Sequence, residues 1–176
     1  MTRAAVRQGI AAYFGGNTYD AVYRIWRPTP LAANGLAGVR QFFPKRFSKD
    51  DYTFGYSPPR AMGGVMVVHI PLETEKRIAL GGPTAGIKRL TYSVELWLYH
   101  QGQTPHAEDP QADFDGLIEA VVARIRADRT LGGIVTEAGE GPNTGITKTA
   151  SEPVRNNETT EQYGVIRFDA NAYPSA

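Results

Sequence analysis

The 176-residue chain contains no cysteine. That excludes a disulfide framework, a thiolate metal site and a cysteine nucleophile. No apolar run approaches the roughly 20 residues that a membrane helix needs, and Met1 is not followed by the apolar core of a signal peptide. Histidine is scarce, with only three in the chain. No Gly-x-Ser-x-Gly elbow, His-Glu-x-x-His helix or dinucleotide fingerprint occurs. The segment Gly81-Gly82-Pro83-Thr84-Ala85-Gly86 lacks the Lys-Ser/Thr that completes a phosphate loop. Hydrophobic residues make up 41% of the chain, which excludes wholesale disorder. The expectation is one soluble, intracellular, non-redox domain spanning 1–176, without enzymatic activity, metal or cofactor.

Net charge is only +1, but it is unevenly divided. Residues 1–89 hold 13 Lys/Arg against 5 Asp/Glu, and residues 90–176 hold 6 against 13. The two parts therefore carry +8 and −7. Opposite halves neutralise each other within a fold, or steer copies into head-to-tail contact.

Periodicity assigns the elements. Arg3–Phe14 reads as a short helix, with Val6, Ile10, Tyr13 and Phe14 at helical spacing and Gly15-Gly16 as its stop. Asn17–Tyr23 turns into a first strand that carries Val22, Ile25 and Trp26 and ends at Pro28 and Pro30. Val65–Leu72 reads as a strand, Glu73–Lys76 as a polar turn and Arg77–Leu80 as a returning strand. Lys88–Gln101 is a long strand. Leu90, Tyr92, Val94, Leu96 and Leu98 occupy one face, with Thr91, Ser93, Glu95, Trp97 and Tyr99 on the other. That second face is only half polar, so Trp97 and Tyr99 are expected to be covered.

Gly102–Pro110 reads as a loop, and Asp109 or Asp113 is expected to cap the helix that follows. Phe114, Leu117, Ile118, Val121, Val122 and Ile125 then form one apolar stripe over about four turns. Acidic residues open this helix and arginines close it, as the helix dipole favours. Strands are expected at Ile134–Glu140, Ile146–Pro153 and Glu161–Asn171. The whole predicts an α+β fold. Its mainly antiparallel sheet carries one long helix packed on a face, a short N-terminal helix and a long loop insertion.

That insertion, residues 28–64, contains five prolines and interleaves basic with aromatic side chains. Arg40, Phe42, Phe43, Lys45, Arg46, Phe47 and Tyr52 are its candidate interface residues, to which Trp97 and Tyr99 are added from the long strand. Long loops in compact domains are usually functional or ordered by a partner. A protein-binding arm, an ordinary folded-over loop and a nucleic-acid surface built on Arg40, Lys45, Arg46, Lys49 and Arg60 all fit this composition.

Candidate chemistry is sparse. His100, His106, Glu108 and Asp109 are the only cluster of metal-capable side chains, and they fall in a polar loop rather than at helical spacing. His69 sits within an apolar strand and reads as a hydrogen-bonded sheet residue. Carboxylate pairs such as Asp50-Asp51 and Glu137/Glu140 have simpler explanations in loops, caps and exposed strands.

The later two-thirds carries a recognisable pattern. The strand Leu90–Tyr99 and helix Asp113–Arg126 run into Ile125-Arg126-Ala127-Asp128-Arg129-Thr130-Leu131-Gly132-Gly133. Glu137-Ala138-Gly139-Glu140-Gly141 and a final Tyr163-Gly164-Val165-Ile166-Arg167-Phe168 strand follow. This pattern resembles the tail terminator, or tail completion, proteins of long-tailed bacteriophages. The resemblance spans roughly residues 63–173 plus 3–14, and residues 28–61 depart from it as a longer, more aromatic insertion. It implies a fold similar to tail tube subunits and assembly into a six-fold ring on the completed tube. Such a ring ends tube polymerisation and presents a docking surface to the head-to-tail connector or stopper. It leaves an open channel where genomic DNA makes transient, non-specific contact. The implied partners are copies of itself, the tube protein and the connector, with no membrane, no covalent chemistry and a place in the virion after assembly in the host cytoplasm. The tube protein itself and a connector stopper are the neighbouring alternatives.

Overall fold

Thr2 begins the first element in the computed structural model, its side-chain hydroxyl accepting from the Ala5 amide at 3.3 Å. The structure describes residues 2–15, 17–20, 25–28, 36–40, 63–78, 86–102, 108–140, 145–156 and 159–173. Helix α1 spans Arg3–Phe14, as its periodicity predicts, and buries Val6, Ile10, Ala11 and Phe14. The Gly15 amide closes it by donating to the Ala11 and Ala12 carbonyls.

Strands β1 (Asn17–Asp20) and β2 (Ile25–Pro28) form an antiparallel pair of their own. Two strands thus replace the single one expected over this stretch. The 28–64 insertion is also not loop throughout. Leu36–Arg40 forms β3, parallel to the start of β4. Leu36 is fully buried, and that burial holds the strand despite its glycine. The aromatic and basic residues Phe42, Phe43, Lys45, Arg46, Phe47 and Tyr52 lie outside the described residues.

The main sheet runs β3-β4-β5-β9 and then β6, β7 and β8, all three of which pair with β9. Only the β3–β4 pair is parallel, so the sheet is mainly antiparallel. Strand β4 (Gly64–Arg77) continues straight through the stretch expected to be a turn and a returning strand. Its polar half is strand because β5 (Lys88–Gly102) supplies partners out to Arg77↔Lys88, past an irregularity between His69 and Leu72. Pairing decided here against local composition. Strand β9 (Thr159–Ala172) pairs with β5 from Leu90↔Ala172 to Gly102↔Thr160.

Along the far side of β9 lie β6 (Glu137–Gly139), β7 (Thr147–Ala150) and β8 (Val154–Asn156). They act as one interrupted edge strand. Glu137–Gly139 is shorter than the strand expected from Ile134, because the preceding residues are spent in a turn. The strand expected over Ile146–Pro153 breaks at Ser151–Pro153, since Pro153 has no amide to donate. Ser151 bridges that break: its amide donates to the Tyr163 carbonyl at 2.8 Å and its hydroxyl accepts from the Tyr163 amide.

Helix α2 covers Glu108–Ala127. It starts earlier than expected, which places Asp109 and Asp113 inside the helix instead of at its cap. Pro110 had argued for loop, but first-turn amides have no intrahelical acceptor, so a proline there costs nothing. All six stripe residues, Phe114 through Ile125, are buried. They form one core with α1 and with Met66, Val68, Leu96, Leu98, Ile166 and Phe168 of the sheet. Both helices therefore cover the same sheet face, and the Tyr13 hydroxyl joins them by donating to the Arg124 carbonyl at 2.8 Å.

The Asp-Arg-Thr-Leu-Gly-Gly run is a helix stop. Asp128 accepts from the Thr130 amide (2.9 Å), the Thr130 hydroxyl (2.6 Å) and the Gly132 amide (2.8 Å). Leu131, Gly132 and Gly133 all adopt positive φ, and Leu131 tucks into the core. The hydrogen bond from Thr130, followed by those from the Gly132 and Thr130 amides, holds the Asp128 carboxyl below its ordinary range. Asp128→Ala should lower the thermal midpoint by leaving three donors without their acceptor at once, whereas Asp128→Asn should retain most of it; circular dichroism melts distinguish the two.

Candidate functional site

The sheet face away from the helices is where the sequence leaves polar and aromatic side chains, and strand register arranges them in rows. Each side chain on β5 lies beside its β9 partner because antiparallel neighbours project to the same side. The Thr91 hydroxyl donates to Asn171 Oδ1 at 2.8 Å, and Arg89 Nε donates to the same atom at 3.2 Å. The Ser93 hydroxyl donates to Asp169 at 3.1 Å. Arg167 Nε donates to Glu95 Oε1 at 2.9 Å. Trp97 then faces Val165, Tyr99 faces Tyr163, and Gln101 Nε2 donates to Glu161 at 3.2 Å.

Glu95 is the hub of this face. Besides Arg167, it accepts from Trp97 Nε1 at 3.0 Å, and His69 Nδ1 lies 3.4 Å from its Oε2. Burial opposes its ionisation, but hydrogen bonds from Arg167, Trp97 and His69 outweigh that and hold its carboxyl below the usual range. A cleft of about 250 Å³ beside it is lined by Ser93, Thr147, Arg167 and Asp169 among others. A carboxylate held ionised by three donors is a poor proton acceptor. The Ser93 hydroxyl is spent as a donor to Asp169, a bond that ties β5 to β9. The arrangement suits cross-strand bracing.

Beyond the hub the face turns apolar. Val65 and Val67 are fully buried opposite Tyr99 and Trp97, with Val165 beside them. Trp97 and Tyr99 are half-buried, which agrees with the expectation that they are covered. The Tyr99 and Tyr163 rings lie 6.5 Å apart, and burial, with the Tyr163 phenol adding to it, pushes the Tyr99 hydroxyl pKa up. Tyr163 itself is 51% exposed and Val154 61%. The backbone of Arg40 closes β3. The remaining arm residues fall outside the described residues, so Trp97 and Tyr99 are the expected interface residues that this face brings together.

Sequence reasoning missed Glu95, Arg167 and Tyr163. Their partnership depends on which β9 residue stands opposite which β5 residue, and no local pattern encodes that register.

The metal-capable group does not converge on this face. His100 points to the helix side, where its ring centroid lies 6.0 Å from that of Phe114. Asp109 lies in the first turn of α2, Glu108 opens that helix, and His106 falls outside the described residues. Among the described residues, no three His, Asp or Glu side chains gather as ligands. His69 is the hydrogen-bonded sheet residue that its strand context suggests.

His100 nonetheless predicts a pH response. It is buried, and among the described residues its Nδ1 has no hydrogen-bond partner. Burial lowers its pKa from about 6.5, opposed only in part by the Asp113 charge. The unfolded chain therefore binds the proton more readily, and stability is full above about pH 6.5 and falls below it. The thermal midpoint should drop as the pH is lowered from 7 to 5. His100→Asn should flatten that drop while costing some stability at pH 7; an unchanged slope in the variant would assign the effect to other groups.

No protein-family model matches the chain, and no curated protein matches it.

Proposed function

We propose that this chain is a structural subunit of a phage tail: a terminator that assembles as a six-membered ring, ends growth of the tail tube and offers a surface to the head-to-tail connector or stopper. The observation that carries the reading is the second sheet face. It is braced internally by Glu95, and it presents a half-buried to exposed apolar row of Trp97, Tyr99 and Tyr163. Aromatic rows on a rigid sheet suit protein contact better than chemistry, because aromatics dominate binding hot spots. The α+β order and the Asp128 helix stop agree with the pattern that suggested the family.

In this reading the protein works without covalent chemistry. Its partners are its own copies, the tube protein and the connector, with genomic DNA passing through the lumen. Electron microscopy of purified protein, alone and mixed with tube ends, tests it. Six-subunit rings, free or on tube ends, are the expected result. Long tubes of this protein alone would instead make it the tube subunit, and a monomer that decorates nothing would overturn the reading. Phe43→Ala should leave the monomer folded and weaken assembly; a large loss of monomer stability would place Phe43 in a core.

A further inference from the structure

The exposed apolar side chains are not scattered. They divide between the two ends of the long sheet, and the charges divide with them.

At one end, the outer half of β4 is an edge of the described sheet, paired with β5, and past Leu90↔Ala172 these two strands run on as a two-stranded ribbon. Every residue from Pro71 to Ile78 is exposed. The ribbon continues to Ile78, whose amide donates to the Ile87 carbonyl at 2.9 Å. Leu72, Ile78 and Ile87 are 57%, 54% and 50% exposed. Lys76, Arg77, Lys88 and Arg89 outnumber Glu73 and Glu75 here, leaving a net +2. A two-stranded ribbon is marginal on its own, and three exposed aliphatic side chains add an apolar area that a monomer gains nothing by displaying.

At the other end, β5 finishes and β9 begins. Pro110 packs over Gly102 and Phe114 over Gly164, which seats the first turns of α2 there. Those turns bring Asp109, Asp113 and Asp115, β9 brings Glu161, and Glu152 in the break between β7 and β8 adds to them against Arg155 of β8. Among the described residues this end is therefore acidic, with a net −4. It carries Val154 and Tyr163, two exposed apolar side chains of the described strands.

We propose that the basic, apolar ribbon of one copy docks on the acidic end of a second copy, against Val154 and Tyr163. The charges select this occupant and its polarity. A two-fold pairing of ribbon with ribbon would set a net +2 against a net +2, whereas ribbon against acidic end brings opposite potentials and apolar side chains together. The contact is heterologous, so it propagates from copy to copy until geometry closes it. Complementary charge sets the register and the approach rate, and apolar burial holds the contact. This inference rests on the self-assembling reading above and adds which surfaces meet.

Charge reversal at each end, read by sedimentation and light scattering, tests it. One variant carries Lys76→Glu and Arg77→Glu, which takes the ribbon from +2 to −2; the other carries Asp113→Lys, Asp115→Lys and Glu152→Lys, which takes the acidic end from −4 to +2. Matching circular dichroism melts show that both fold. Each alone should self-associate at least about tenfold more weakly than the parent, and an equimolar mixture should recover, since the reversed ribbon meets the reversed end. Added salt should weaken the parent contact. If the parent assembles and both variants assemble equally well, the ribbon contact is wrong and self-assembly stands. If both variants fail and their mixture does not recover, the two ends do not face each other. A parent chain that remains monomeric at all concentrations and in the presence of tubes overturns self-assembly and the ribbon contact together.

Discussion

Val121→Asp should leave no folded protein. Val121 is fully buried on the inward stripe of α2, within the core that the helices share with the sheet. A carboxylate there either ionises without a partner or takes up a proton, and both cost free energy. An unpaired buried charge costs about 3–5 kcal/mol, to which the lost packing of two methyl groups is added. Total domain stability is typically about 5–15 kcal/mol, so the variant falls at or below the threshold for folding. Val121→Ala is the control. It removes the same methyl groups without the charge, should cost about 2 kcal/mol, and should remain folded. Urea titration followed by far-ultraviolet circular dichroism measures both. A cooperative Val121→Asp transition at the parent midpoint would mean that the stripe does not pack on the sheet.

Gly164→Ala should produce the other large loss, for a different reason. Gly164 lies on the helix side of β9, where the sheet and α2 come closest. A Cβ there would sit 2.7 Å from the Thr149 carbonyl oxygen and 3.0 Å from Phe114 Cζ. The first distance is to the backbone of the neighbouring strand, so relief requires β7 to move away from β9. Overpacking of this kind costs about 1–3 kcal/mol. The test is a pair of variants. Phe114→Leu opens space above Gly164 but leaves the Thr149 carbonyl in place, so the double variant should not recover the loss. Recovery would show that the ring, and not the strand, sets the close approach. Amide exchange should also accelerate at Lys148 and Ala150, whose strand pairs with β9 at this point.

Much of the fold is legible in the residues themselves. The α1 boundaries follow from an apolar period and a glycine stop. The α2 stripe follows from six apolar residues at helical spacing, and the inward face of β5 from strict alternation over Leu90–Leu98. These patterns are local: a helix or strand with one apolar face can be recognised without knowing what it packs against. Where the reading failed, the deciding partner lay far away in the chain. Glu73–Lys76 looks like a turn until β5 is placed beside it, and Leu36–Arg40 looks like loop until it joins β4. The bend between β7 and β8 appears only once Ser151 is seen bonded to Tyr163.

The candidate site divides in the same way. That Trp97 and Tyr99 share a face with Ser93 and Glu95 follows from strand alternation alone. That Glu95 ties together Arg167, Trp97 and His69 does not, because β4, β5 and β9 must first be set in register. The charge division has a similar history. A basic first half and an acidic second half are plain in composition, but composition does not separate neutralisation within the fold from separation across it. The antiparallel register carries the ribbon cations to one end of the sheet, and the seating of α2 on Gly102 and Gly164 carries the carboxylates to the other. Local periodicity and charge count belong to the amino-acid order. Which side chains meet, and at which end of the molecule, depends on non-local strand pairing, since a one-residue slip would turn each of these side chains to the opposite face.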